Sequence, residues 1–511
     1  MEVLELDGFG LTPAGVVAVA RQARPVRLSS GARERMEESA AIVDRLAASS
    51  TPAYGVSTGF GSLANTAIPA ERRTELQHAI VRSHAAGMGS AVEVEVVRAM
   101  MLLRARTLAM GYSGVRPAVV DTMLALLDGG YSPVVPEYGS LGASGDLAPL
   151  SACALVLIGE GEAIAPEGGV VGGQEALEAV DRQPIQLTAK EGLALVNGTD
   201  GMLAMLILAI HDLSELLRVA DIVAAMSVEA LLGTDRPFAA DLQALRPHVG
   251  QAESAANLVD LLAGSAIVAS HREGDDRVQD AYSLRCTPQV HGAVRDVVGY
   301  AARIADIELG SAIDNPMILP DGRVESCGNF HGAPLAHAAD YLAVAVADLG
   351  ALSERRTDRM MDQSRSHGLP PFLSPDAGVN SGMMIAHYTQ AAMTAENRRL
   401  AAPASVDTIP TSAMQEDHVS LGWSACRKLR AALDNLTGIL TVELMCAARA
   451  IDLRAPLLPA AGTAAARDCV RNVVDGPGPD RWLAPELETV KGLIRKGEIL
   501  RAIAEAGIEL R

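Results

Sequence analysis

Aromatic side chains are scarce: five Phe, eight Tyr and two Trp make up 3% of 511 residues. A hydrophobic share of 49% must then come mostly from Ala, Leu, Val, Ile and Met, a set that suits closely packed helices. Cysteine is also sparse. Cys153, Cys286, Cys327, Cys426, Cys446 and Cys469 form no C-x-x-C pair, which argues against a disulfide scaffold and for free thiols in a reducing cytoplasm. Positive charge is in deficit, with 43 basic against 62 acidic residues and a net charge of −19. Such a chain repels nucleic acid and anionic membranes, so neither is expected as a partner. Met1-Glu2-Val3-Leu4-Glu5-Leu6-Asp7 has no basic region followed by an apolar one, so no signal peptide is expected. The most apolar helical stretches are interrupted by charges such as Asp212, Glu215, Arg218 and Asp221, as in helices buried in protein, not in membrane spans. There is no internal repeat and no low-complexity tract.

What is present is helical periodicity. Apolar spacing predicts helices over Arg33 to Ala47, 69–82, 92–110 and 117–128, broken by Gly111-Tyr112-Ser113-Gly114 and stopped by Gly129-Gly130. A Gly-rich segment over 161–173 reads as a hairpin or loop. From Gly201 to Leu232 the pattern becomes long, proline-free and helical, and similar stretches cover 334–361, 382–400 and 419–454. Gly438 lies inside the last and could kink it. A charged amphipathic helix closes the chain. The expectation is a mainly α protein: a long antiparallel helix bundle over 201–511, with a smaller mixed, loop-rich N-terminal domain over 1–200 carrying the active-site loops. Helices of this length imply a bundle larger than one subunit usually needs, hence an oligomer.

The informative loop is Val135-Pro136-Glu137-Tyr138-Gly139-Ser140-Leu141-Gly142-Ala143-Ser144-Gly145-Asp146-Leu147. Gly142 and Gly145 permit backbone geometries that other residues resist. A tightly bent chain there can bring the Gly145 nitrogen against the Ala143 carbonyl carbon, and closure with loss of water and dehydration of Ser144 would leave a conjugated C=CH2 electrophile. The plain alternative is a polar turn before a helix. A hydrolase with Ser144 as nucleophile fails, because G-x-S-x-G would need Gly where Asp146 stands. The string from Gly139 to Leu150 closely resembles the signature of the aromatic amino acid ammonia-lyases, in which this tripeptide becomes methylidene-imidazolone, MIO. The resemblance, not composition or spacing, implies the ring at Ala143, Ser144 and Gly145. It extends in order over other segments from about 51 to 454.

Tyr54 lies in Tyr54-Gly55-Val56-Ser57-Thr58-Gly59-Phe60-Gly61, which resembles the family loop supplying a catalytic tyrosine. A tyrosine base needs a positive field, since its ordinary pKa is ~10; otherwise it is a loop tyrosine. Gly59-Phe60-Gly61-Ser62-Leu63-Ala64 mimics a dinucleotide fingerprint, but no strand–turn–helix unit surrounds it. Ser83-His84 occupies the position that lines the ring pocket, and resembles the histidine-selective branch; a structural histidine at a helix end is the alternative. Asn197, in Asn197-Gly198-Thr199-Asp200, is implied to bond the ring region, with Asp200 where Gln is usual. In Gln279-Asp280-Ala281-Tyr282-Ser283-Leu284-Arg285 the resemblance implies Gln279 and catalytic Tyr282 lining the site and Arg285 gripping a carboxylate, for which a planar fork suits. An internal salt bridge is the other reading of Arg285. Ala281 stands where many members carry Pro. Phe330, in Asn329-Phe330-His331-Gly332, is implied near the ring, or is a core aromatic. Glu416, in Thr411-Ser412-Ala413-Met414-Gln415-Glu416-Asp417-His418, stands where phenylalanine- and tyrosine-selective members carry Gln; a carboxylate can pair with an imidazole N–H. It also suits the start of a helix. Met414 replaces an Asn common in some histidine-selective members.

The resemblance therefore implies non-oxidative deamination of L-histidine to trans-urocanate and ammonia. The implied assembly is a homotetramer with shared sites, needing no metal or diffusible cofactor. The alternatives within the family are a tyrosine or phenylalanine ammonia-lyase and an MIO-dependent aminomutase. A noncatalytic helical scaffold lies outside it.

Overall fold

The computed structural model describes residues 2–49, 54–63, 65–275 and 277–511. Residues 51–53 and Ala64, which belong to the Gly-rich loop expected around Tyr54, lie outside the described residues. The chain is mainly α, as its periodicity predicts. It divides into two compact units. The first comprises Met1–Leu208, Ala302–Ala339 and Ala404–Arg427, and the second Ala209–Ala301, Asp340–Pro403 and Lys428–Arg511.

The first unit holds all the described strands, in four small sheets. Leu4–Leu6 pairs in parallel with Val26–Leu28. Met88–Ala91 pairs antiparallel with Pro136–Tyr138, the strand that feeds the Ala143 loop. Glu162–Ile164 and Val170–Gly172 form the expected hairpin and extend to Ser132–Pro133. Met317–Ile318 pairs with Val324–Glu325. The core helix Val94–Ala109 is buried from Val96 to Ala109. It carries three buried arginines, which spend N–H groups on backbone carbonyls: Arg98 on Val19 and Leu127, Arg104 on Asn197 and Ile313, Arg106 on Ser311. Buried donors need such acceptors, because leaving one unmet costs about 1–3 kcal/mol.

The second unit is helical and laced by buried polar clusters. Glu443, wholly buried, takes Arg356 on both oxygens, with Ser227 and Ser353 at 2.6 Å. These groups tie together residues of three long helices, Asp200–Ala230, Ala333–Met361 and Gly422–Asp452. Asp221 is a second hub, bonded by Ser254, Asn257, His291 and Arg295. The helix Gly422–Asp452 is continuous through Gly438. A Cβ there would lie 2.6 Å from Met393 Sδ, near the end of a flexible side chain on helix Met384–Leu400. The helix Thr287–Leu309 lies outside the stretches that the apolar spacing singles out.

By length and composition alone, Glu191–Ala230, Ala333–Met361 and Gly422–Asp452 could cross a membrane, yet 94%, 61% and 83% of their most apolar windows are buried in protein. All six cysteines are free.

Candidate active site

The Ala143–Gly145 loop is held from several sides within the first unit. Gly142 and Gly145 have φ of +67° and +75°, the left-handed region. A Cβ on Gly145 would lie 2.1 Å from Gly198 O, and one on Gly142 2.1 Å from Ser420 Oγ. The next residue seals that approach, with Asp146 N donating to Gly198 O at 2.6 Å. Leu421 N donates to Leu141 O at 2.9 Å. Ser144 Oγ, the atom that ring formation would expel, donates to Asn197 Oδ1 at 2.9 Å.

Asp146 opens the helix Leu147–Leu157 and is wholly buried. Its Oδ2 accepts from Gly201 N at 3.0 Å and Met202 N at 2.9 Å, and its Oδ1 from Ser140 Oγ at 3.0 Å. Burial pushes its carboxyl up to about 7 against the pull of these donors. It thereby joins the Ser140–Gly145 loop to the start of helix Asp200–Ala230. Nothing in the motif alone marks Asp146 as more than a helix-start residue.

Asn197 ends the short helix Glu191–Val196. Its Nδ2 donates to Asn315 O at 2.9 Å and Asp314 Oδ1 at 3.3 Å. Asp200 has a definite task here. Its Oδ2 accepts from Arg104 Nη1 at 3.0 Å, and that nitrogen also donates to Asn197 O at 3.0 Å. The carboxylate therefore compensates a fully buried guanidinium that holds the Asn197 turn.

A second group gathers Tyr54, His84 and Glu416. Tyr54 packs edge-on to Phe60, with ring centroids 6.3 Å apart, and its hydroxyl accepts from Gly61 N at 3.1 Å. The Thr411–Glu416 segment folds back on itself: Thr411 N donates to Glu416 O at 2.9 Å, and Thr411 Oγ1 to Glu416 Oε2 at 2.8 Å. Ser412, Ala413 and Met414 between them have φ of +50°, +52° and +70°. This bend puts Ser412 Oγ 3.3 Å from Ser62 N and where a Gly61 Cβ would be, 2.5 Å away. Met414 points out, 67% exposed, so the Asn it replaces is not missed as a buried partner. His84 ends the helix Arg73–His84, half-buried, with Nδ1 3.0 Å from Ser83 Oγ.

The electrostatics tie the three together. Burial raises the Tyr54 phenol; the Gly61 N–H opposes this and the Glu416 charge adds to it. Burial lowers the His84 imidazole, and Ile80 O and Glu416 oppose that. The Glu416 carboxylate thus acts on both side chains. No described cation contributes to the Tyr54 shift, so the positive field that a tyrosinate requires is not supplied by these neighbours.

Phe330 is half-buried in the turn before helix Ala333–Met361, and its neighbour His331 stacks on His418 with centroids 5.6 Å apart. Gln279, Tyr282 and Arg285 belong to the second unit. Gln279 is exposed and Tyr282 is 70% exposed. The Arg285 guanidinium lies 4.5 Å over the Tyr282 ring, and its Nε donates to Asp280 O at 2.9 Å. Its two terminal nitrogens have no partner among the described residues, so no internal salt bridge occupies the fork. Ala281 has φ −60°, the value proline would impose, so its replacement of Pro leaves this turn's geometry intact. Among the described residues no cluster of His, Cys, Asp or Glu is placed to hold a metal.

Sequence comparison matches residues 11–472 to the aromatic amino acid lyases. A histidine ammonia-lyase of Streptomyces avermitilis is 57% identical, with 98% of each chain covered. One of Deinococcus radiodurans is 49% identical, covering 96% of this chain and 93% of that one. Among solved structures, a tyrosine aminomutase from Streptomyces globisporus superposes with a TM-score of 0.94 at 37% identity, covering 100% of both chains. A histidine ammonia-lyase from Trypanosoma cruzi superposes at 0.91, also 37% identical, covering 99% of this chain and 96% of that one.

Proposed function

The chain belongs to the aromatic amino acid lyase family, and from that premise we propose that it is a carbon–nitrogen lyase converting L-histidine to trans-urocanate and ammonia. The observation that carries the reading is the 57% identity, over 98% of each chain, to a histidine ammonia-lyase, with Tyr54, His84 and Glu416 in the same unit as the Ala143–Gly145 loop. Ala143, Ser144 and Gly145 would form MIO. The loop fits that group: residue 145 has no room for a Cβ against Gly198 O, its φ is positive, and Ser144 Oγ already has a fixed partner. MIO supplies an electrophile for the substrate amine, which turns a poor leaving group into a better one.

The protein's own residues do the rest. Tyr54 removes the β-proton as a general base. His84 and Glu416 hold the imidazole, and Glu416 can accept its N–H. Arg285 grips the carboxylate through its free terminal nitrogens and adds positive field. Asn197, Gln279, Tyr282 and Phe330 frame the reacting groups. A pocket built to pair imidazole nitrogens rejects a phenyl ring, because its polar groups would then be buried unpaired.

The cation that Tyr54 lacks enters through assembly. The protein forms a homotetramer whose sites are shared, so that Arg285 of one copy completes the site of another. The exposure of Val278 at 99% and Tyr282 at 70% suits a surface awaiting such a contact. The acidic composition fits a soluble cytoplasmic enzyme in histidine breakdown.

Purified protein supplied with L-histidine should release urocanate and ammonia in equal amounts and leave L-phenylalanine almost untouched. A β-amino acid in place of urocanate would assign the aminomutase reaction instead. Intact mass should fall short of the encoded chain by two waters.

A further inference from the structure

Ser144 does not meet Asn197 alone. Both hydrogens of the Asn197 amide nitrogen are committed, to Asn315 O at 2.9 Å and to Asp314 Oδ1 at 3.3 Å. A carbonyl and a carboxylate can only accept. The nitrogen must face them, and Oδ1 must face the Ser144 hydroxyl. Asp314 is fixed in turn: its Oδ1 accepts from Asn315 N at 2.7 Å and its Oδ2 from Lys190 Nζ at 2.6 Å. Both side chains of this ion pair are fully buried, at 0% exposure. Lys190 itself stands in a left-handed conformation, φ +68°, directly before the helix Glu191–Val196, whose far end delivers Asn197. One short helix therefore carries the cation at its start and the amide at its end. Stability gives little reason for such a pair, because buried ion pairs are often replaceable by apolar groups without loss.

We propose that Lys190 and Asp314 are positioning residues for the maturation of Ser144: with the Asn315 carbonyl, whose residue Asp314 also holds, they lock the orientation of Asn197, whose Oδ1 then fixes the hydroxyl that must leave. The inference rests on the ring-forming reading above. In that chemistry the Gly145 nitrogen bonds to the Ala143 carbonyl carbon, and the carbonyl oxygen departs as water with the hydrogens of the Gly145 and Ser144 amides. The Ser144 hydroxyl then departs with the Ser144 Cα hydrogen as a second water, leaving the Cα=Cβ double bond. Only this second loss depends on the direction of the Cβ–O bond, and that bond is what Asn197 holds.

Replacing Asp314→Asn together with Lys190→Met removes both charges, so neither is left buried and alone. An amide at 314 can present oxygen or nitrogen to Asn197 and to Asn315 N, so Asn197 keeps a single fixed acceptor, Asn315 O, and the carboxylate that placed it is gone. Intact-mass spectrometry should show wild-type chains short of two waters. Most chains of the double variant should be short of one only, with helical circular dichroism unchanged. Loss of both waters in the double variant, as complete and as fast as in wild type, overturns the inference. Wild-type chains short of no water would instead refute the ring itself. If the double variant fails to fold, Asp314→Glu decides. It keeps the charge but displaces the carboxylate by a methylene, and should slow the second water loss about tenfold or more in a time course after cell-free synthesis. A wild-type time course there overturns the inference equally.

Discussion

The partners of Asp146 are all neutral, a hydroxyl and two backbone N–H groups, and burial has moved it up to about 7. Because its folded pKa lies above its unfolded one, protonation favours the folded state. Its contribution is fully present below about pH 4, the ordinary carboxyl range, and is lost as pH rises through about 7. Asp146→Asn should therefore flatten the decline in stability between those pH values, measured as denaturation midpoints across a pH series. Glu416 makes a different kind of prediction. Glu416→Gln should lower kcat/KM for L-histidine about 10- to 100-fold, the worth of a charge-assisted hydrogen bond of about 1.5–3 kcal/mol. The same change should leave any residual turnover of L-phenylalanine nearly unaltered, as steady-state kinetics on the two substrates would reveal. Met414 is exposed at φ +70°, a conformation that favours Asn over most side chains. Met414→Asn should raise stability by about 1 kcal/mol, readable in thermal melting.

At the scale of elements, the buried Glu443–Arg356 pair joins two long helices, with Ser227 adding a third. Glu443→Gln leaves the guanidinium charged and uncompensated, at a cost of about 3–5 kcal/mol; denaturant unfolding should show it. The long helices are legible in sequence because apolar residues at three- and four-residue spacing survive over many turns, as in 201–232 against the observed Asp200–Ala230. The role of Gly438 is not legible. A glycine inside a helix reads as a break, and only the neighbouring Met393 shows it to be a contact point. In the candidate site, motif strings point to Tyr54, His84, Asn197 and Glu416. They are silent on Lys190, Asp314, Arg104 and Ser412, whose parts arise from pairing across 93 to 124 residues or, for Ser412, from a left-handed bend. Asp200 looks like a departure from a pattern until Arg104 explains it.

For the whole molecule, the assembly reading is open to a mixing experiment. Tyr54→Phe and Arg285→Leu should each be nearly inactive alone. Co-expressed, they should regain part of the wild-type rate, because some mixed tetramers contain a site with both native residues. If each site were built within one chain, no mixture would recover, and activity assays on the co-purified tetramer distinguish the two cases.

The first unit is stitched from three separated stretches, and Leu421 and Ser420 grip Leu141 and Gly142 from the last of them. A ribosome must therefore translate some 280 residues beyond the Ala143 loop before its clasp exists. Under the proposed ring chemistry, a nascent chain lacking that clasp would stay chemically inert, and an electrophile would meet the cell's amines and thiols only once most of the polypeptide was made.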